Sequence, residues 1–162
     1  MGVIQEGIHT IHSKSLKYVV LKINLSKPYD RVDWTYLRIL LSKMGFVVPF
    51  ITWVMSILIY VSFALLTNGV ASSFFRSRCG LKKGFPLAPL LFLIVVEGLC
   101  RAFLSAKECG AFKGITFGNN ITLSHVLFVD DIVMVSDGYK LSLSTLYEVL
   151  MVFCKAFGMV IN

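Results

Sequence analysis

"LSHVLFVDDIVMVSDG", residues 123–138, sets two adjacent aspartates, Asp130 and Asp131, inside an apolar, β-branched run. Like charges side by side in a strand are costly unless a cation meets them. The flanks "ITLSHVLFV" and "IVMVSD" read as the two arms of a β-hairpin with the aspartates at its tip. Two readings of such a pair stand open. Asp favours hairpin turns and needs no ligand there. A turn also offers both carboxylates to a hard divalent ion such as Mg²⁺, which is held by few carboxylates plus substrate phosphates.

Working outward, "YVVLKINL" (18–25) is strand-like, and "SKPYDRVD" (26–33) reads as a connection in which Pro28 breaks any early helix. Asp33 is a good N-cap for a helix over 34–45, with Trp34, Leu37, Leu40 and Leu41 on one face and Gly45 as its stop. Pro49 suits the first turn of a second helix, 49–59. Strands over 61–69 and 73–80 come next, joined by a turn. Beyond them lie a Gly/Pro loop over 81–89 and a long buried helix over 90–110, with Glu97 and Arg101 as an i,i+4 pair. After the aspartate hairpin, 142–158 reads as an amphipathic helix ended by Gly158. Strands and helices mix without regular βαβ alternation. This predicts an α+β fold, a mainly antiparallel sheet with helices packed on one face.

The chain has 162 residues, 56% of them apolar and 15% charged, with a net charge of +7. That size suits one domain or part of a larger one and excludes a disordered chain. The positive balance favours a polyanionic partner. Four cysteines, at 79, 100, 109 and 154, form no C-x-x-C pair, and His9, His12 and His125 complete no zinc pattern. Reduced thiols point to an intracellular setting, in nucleus or cytoplasm. Mean hydropathy is +0.76. The uncharged stretch "FVVPFITWVMSILIYVSFALL" (46–66) is long enough to span a bilayer, but its texture changes from helix to strand near Tyr60.

Four blocks carry a resemblance: "LKINLSKPYDRVDW" (21–34), "GLKKGFPLAPLLFLIVVEGLCR" (80–101), "LFVDD" (127–131) and "GMVIN" (158–162). In this order and spacing they resemble the palm of reverse transcriptases, and more narrowly those of plant non-LTR (LINE-type) retrotransposons. The resemblance implies a partial polymerase palm and RNA-directed DNA polymerase chemistry. A primer 3′ hydroxyl attacks the α-phosphate of a deoxynucleotide, assisted by two Mg²⁺ ions. The ions are held by Asp130, Asp131 and a third aspartate on the neighbouring strand. Tyr29 falls at the aromatic gate against the ribose 2′ hydroxyl, and Gly84 and Pro86 shape the loop over the incoming nucleotide. Lys82 and Lys83 face template or phosphate. The implied partners are an RNA template, a DNA primer and deoxynucleotides. No protein partner is implied by the resemblance, and a membrane is not expected.

The match breaks where the third aspartate belongs. Five residues before Tyr29 stands Asn24. An amide offers one neutral oxygen and cannot bridge two cations as a carboxylate does. Lys83, Phe85, Ala88 and Pro28 also depart from the family's pattern. The expectation is a single partial domain over 1–162, a truncated and degenerate copy. It lacks most of the fingers and all of the thumb, its Mg²⁺ binding is weakened, and its catalysis is lost or nearly so. The rival readings are a small membrane protein spanning at 46–66 and a non-catalytic nucleic-acid-binding remnant.

Overall fold

A three-stranded antiparallel sheet organises the chain. The computed structural model describes residues 18–82, 84–117, 121–128 and 131–162. In that sheet β1 (Val19–Asn24) pairs with β9 (Asp131–Ser136), which pairs on its other side with β8 (His125–Phe128). Alternation fixes two faces. Ile132 and Met134 of β9 are buried, and Leu21, Ile23 and Leu127 beside them pack on the same core. The opposite face carries Lys22, Asn24 and Asp131, which are joined by side-chain contacts.

Helices cover the core face. α1 (Pro28–Arg31) is a single turn, α2 spans Trp34–Lys43, α3 Val48–Tyr60, α4 Ala88–Glu108 and α5 Lys140–Phe157. The Asp33 carboxylate caps α2, accepting from the Tyr36 N–H at 2.8 Å. α4 is the central beam. Its Ala88, Leu91, Phe92, Val95, Leu99 and Phe103 are buried, and it packs on α2, α5 and β8. By length and composition α4 could cross a membrane. Here that buried stripe belongs to the same core as the sheet. After α5, Gly158 turns the chain in the left-handed region, at φ +70°. The chain then runs back along β1, where Leu25 bridges Ile161.

Several elements differ from the sequence reading. Pro28 starts a helical turn instead of preventing one, because its fixed φ and missing N–H suit a first helical position. The stretch 46–66 is broken: α3 ends at Tyr60 and strand comes after it, so no continuous span forms there. α3 rests on α2 rather than on the sheet. Its start and the strands beyond it leave Val48, Tyr60, Leu66 and Phe74 at least 70% exposed. The two strands expected over 61–80 are four strands of two residues each: β2 (Ser62–Phe63), β3 (Leu66–Thr67), β4 (Val70–Ala71) and β5 (Phe75–Arg76). All eight residues are exposed, so no buried face propagates a longer ladder. The expected hairpin arm over 121–129 is also divided. β7 (Ile121–Leu123) pairs with β6 (Ile115–Phe117), and the ladder with β9 starts only at His125.

The loop before α1 and the segment before Lys82 are stitched together by their backbones. Gly80 N–H donates to the Val32 carbonyl at 2.8 Å, and Leu81 N–H donates to that of Tyr29 at 2.7 Å. Only glycine fits at position 80. Its φ is +83°, and an added Cβ would lie 2.6 Å from the Asp30 carbonyl oxygen. Gly45 has a similar φ, +86°, in open space. Urea unfolding should therefore show Gly45→Ala costing about 1–2 kcal/mol, the left-handed penalty alone. Gly80→Ala should cost roughly 3 kcal/mol or more, because backbone must also move.

His125 anchors β8 with its ring 5.2 Å from that of Phe103 and its Nδ1 3.0 Å from Ser124 Oγ. Burial first, then the Lys107 charge, hold its pKa below the ordinary value, with Glu97 pulling the other way. The unfolded chain therefore takes up a proton that the folded chain refuses. This stability is present above about pH 6.5 and is lost as the pH falls toward the depressed folded value. The thermal midpoint should fall more in the wild type than in His125→Gln between about pH 7.5 and about pH 5.5.

Candidate functional site

The end of the β1–β9 ladder sets Asn24 directly opposite Asp131. Lys22 stands two residues back on the same face of β1. Its Nζ lies 2.9 Å from Asp131 Oδ2. Asn24 Nδ2 donates to Asp131 Oδ1 at 3.1 Å. The cation that meets the Asp131 charge is thus Lys22, an internal one. Hydrogen bonding from Lys22 first and Asn24 second holds the Asp131 pKa below the usual carboxylate value. Asn24 Oδ1 accepts from Asn162 Nδ2 at 3.2 Å, and the Asn162 N–H donates to the Asn24 carbonyl at 3.0 Å. The chain Lys22–Asp131–Asn24–Asn162 therefore ties β1, β9 and the last residue together.

A second feature lies beyond the end of β1. Tyr29, Gly84, Phe85, Pro86, Ala88 and Pro89 line a cleft of about 440 Å³. The Tyr29 ring stacks on Phe92 of α4, with centroids 4.3 Å apart and planes 20° from parallel. The stitching of Tyr29 to Leu81 brings the aromatic and the Gly/Pro loop to one place. Gly84 sits at φ +85°, which favours glycine. Of the residues singled out in the sequence, Tyr29, Gly84 and Pro86 share this cleft, while Asn24 and Asp131 share the sheet face. Asp130 and Lys83 lie outside the described residues.

Lys82 has rings on two sides. Its Nζ is 5.1 Å from the Trp34 ring centroid and 4.9 Å from that of Phe63. Cations within about 6 Å of a ring centroid are attracted by its quadrupole. Burial pushes the Lys82 pKa down, against a smaller upward pull from Cys79. Trp34 Nε1 also donates to the Gly80 carbonyl at 2.9 Å. Through these contacts Lys82 joins β2 to the start of α2.

The donor set can be tested against a divalent ion. Such an ion takes carboxylate and carbonyl oxygens. Asp131 has a donor at each oxygen, and the Asn24 side-chain oxygen has Asn162. A carboxylate only accepts, so Asn24 turns its NH₂ end toward Asp131 and away from any shared ligand role. Among the described residues no three His, Cys, Asp or Glu come together as a metal would require. Of the carboxylates expected at the site, the described residues include Asp131, and each of its two oxygens carries an internal donor.

Lys22, Asn162, Phe92 and Gly80 are not singled out in the sequence, and Trp34 is read there only as part of a helix face. Lys22 alone carried a signal, a charge two residues from Asn24 in an otherwise apolar strand. Nothing local in the sequence marks the others, whose partners lie 46 to 138 residues away where a separation is set by hydrogen bonds.

Comparison with known proteins bears on this arrangement. A family described as reverse transcriptase (RNA-dependent DNA polymerase) matches residues 2–162. An uncharacterised mitochondrial protein of Arabidopsis thaliana is 39% identical over 70 residues, which is 41% of this chain and 55% of that protein. Among solved structures, the whole chain superimposes on an apo telomerase from Candida tropicalis truncated from its C-terminal domain, with a TM-score of 0.69 at 15% identity. It superimposes on telomerase from the same organism in complex with a TWJ fragment of telomeric RNA with a TM-score of 0.66 at 14% identity. The chain covers 34% and 28% of those two proteins. The telomerase likeness carries the fold: an α+β partial polymerase palm.

The contact of Lys82 with two rings generates a prediction. In a Trp53→Phe background, where Trp34 is the remaining tryptophan, Lys82→Ala should shift Trp34 emission and cost about 0.5–1 kcal/mol in urea unfolding. Lys82→Arg should preserve both, since a guanidinium also stacks on aromatic faces.

Proposed function

The chain belongs to the reverse transcriptase (RNA-dependent DNA polymerase) family, and from that premise we propose that it is a palm segment of a non-LTR retrotransposon reverse transcriptase that has lost nucleotidyl transfer. In this reading residues 1–162 form one partial palm domain. The observation that carries it is the pairing of Asn24 with Asp131 across β1 and β9, with Nδ2 of one 3.1 Å from Oδ1 of the other. That position on the strand beside the aspartate hairpin is where the resemblance calls for a carboxylate. A neutral amide there donates to Asp131 and supplies no charge of its own.

Members of this family generally work with divalent metals. The oxygens described here are taken by Lys22, Asn24 and Asn162, which supports weakened Mg²⁺ binding and a silent site. The cleft under Tyr29 supports retained recognition of a nucleotide or template base, with Gly84 and Pro86 shaping its rim. The net charge of +7 supports residual contact with an RNA template or DNA primer inside the cell. Such binding needs no turnover, so the chain serves best as a nucleic-acid-binding remnant of a polymerase.

Grafting residues 18–136 into an intact relative tests this reading. One chimaera carries the segment as it stands, the other carries Asn24→Asp, and deoxynucleotide incorporation is measured in both. Charge stabilisation at a transferring phosphoryl group is worth several kcal/mol, and about 1.4 kcal/mol is tenfold in rate. The unmodified graft should therefore be slower by on the order of a thousandfold. Equal incorporation by the two chimaeras would overturn the proposal.

A further inference from the structure

Among the described residues, the sheet face that a polymerase of this family would commit to metal carries a set of internal polar contacts. Lys22 and Asn24 each donate to one oxygen of Asp131, and Asn162 donates to Asn24 through both its side chain and its backbone. We infer that this set is a metal-independent clasp, in which the Lys22 ammonium takes over the neutralising role that a divalent ion has in the family. The clasp closes the β1–β9 seam at the end where the two strands part.

Three features support this. First, the described polar atoms of this face are paired without an ion. Both Asp131 oxygens have a donor within 3.1 Å, and the amide oxygen beside them has one at 3.2 Å. An incoming divalent ion would compete with the Lys22 charge for Asp131, and it would gain little from Asn24, whose donating end faces the site. Second, the register demands neutralisation. A carboxylate directly opposite Asn24 would face a like charge if position 24 were acidic, and like charges directly opposite across a ladder are destabilising. With asparagine there, one cation on the diagonal position suffices, and Lys22 supplies it. Third, the clasp reaches past the two strands. Asn162 is fixed against Asn24, Leu25 bridges Ile161, and the Ser26 N–H donates to the Val160 carbonyl at 2.8 Å. The segment after α5 is thereby held along the end of β1, with Met159 buried in the core.

The inference rests on the reading of this face as one that holds metal in its family. Its test reads stability rather than turnover, so an active chain and a failed clasp are separate outcomes. Thermal unfolding of the full chain is followed in chelator and in millimolar magnesium, for the wild type, Lys22→Gln and Lys22→Arg. The wild-type midpoint should be the same in both conditions. Lys22→Gln should melt a few degrees lower in chelator and recover part of the loss in magnesium, because the carboxylate then lacks its internal cation. The loss is small because Lys22 is largely exposed and exposed pairs contribute modestly. Lys22→Arg keeps the charge and should stay indifferent to magnesium, even if Lys22→Gln does not fold. A wild-type or Lys22→Arg midpoint that rises with magnesium would overturn the clasp. So would a Lys22→Gln chain that melts like the wild type in both conditions.

Discussion

The antiparallel register of β1 on β9 is the constraint on which the rest of the molecule depends. Val19 faces Ser136 at one end of the ladder and Asn24 faces Asp131 at the other. A slip of one residue would turn every side chain to the opposite face. Ile132 and Met134 would leave the core, and Asp131 would enter it without a partner. The register is held at its open end by the contacts of Lys22 and Asn24 with Asp131, and along its length by the apolar face that α4 and α5 cover. Core and site are therefore two sides of one pairing, and neither can be changed without the other.

The connection from β1 to α2 turns that pairing into a cleft. Lys27 sits in the left-handed region at φ +48°, which a non-glycine residue adopts only when its surroundings hold it there. The residues after Lys27 are tightly fixed. Pro28 is buried, Tyr29 stacks on Phe92, and the backbone from Tyr29 to Val32 bonds to Gly80 and Leu81. Trp34 and Lys82 add side-chain contacts to the same junction. The first motif and the Gly/Pro loop, which lie some fifty residues apart in the chain, thus form one rigid corner beside the sheet.

Much of this is legible in the sequence, and the failures have physical causes. The Asp33 cap, the stops at Gly45 and Gly158, the Glu97–Arg101 pair and the break of 46–66 near Tyr60 all rest on local chemistry, and local chemistry survives folding. The position of Asn24 opposite Asp131 agrees with the resemblance, which sets it on the strand beside the aspartate hairpin. The occupancy of Asp131 by Lys22 is not legible, since a lysine in a strand is as compatible with water as with a carboxylate. The apolar residues over 62–76 suggest longer strands because they look like a buried ladder, yet they remain bare. β6 escapes the pattern because a strand of three residues has too little period to register, and β7 is read as part of the hairpin arm that follows it. The capture of Lys82 between Trp34 and Phe63 depends on contacts that only the folded chain creates.

A crystal structure of the chain grown with manganese, read by its anomalous signal, tests the central claim most directly, because it asks which cation Asp131 keeps. The account predicts that Lys22 Nζ stays within hydrogen-bonding distance of Asp131 Oδ2, that Asn24 still donates to Oδ1, and that no manganese is bound to either oxygen. A manganese ion coordinated by Asp131, with Lys22 swung away and the Asn24 amide turned to offer its oxygen, would contradict it.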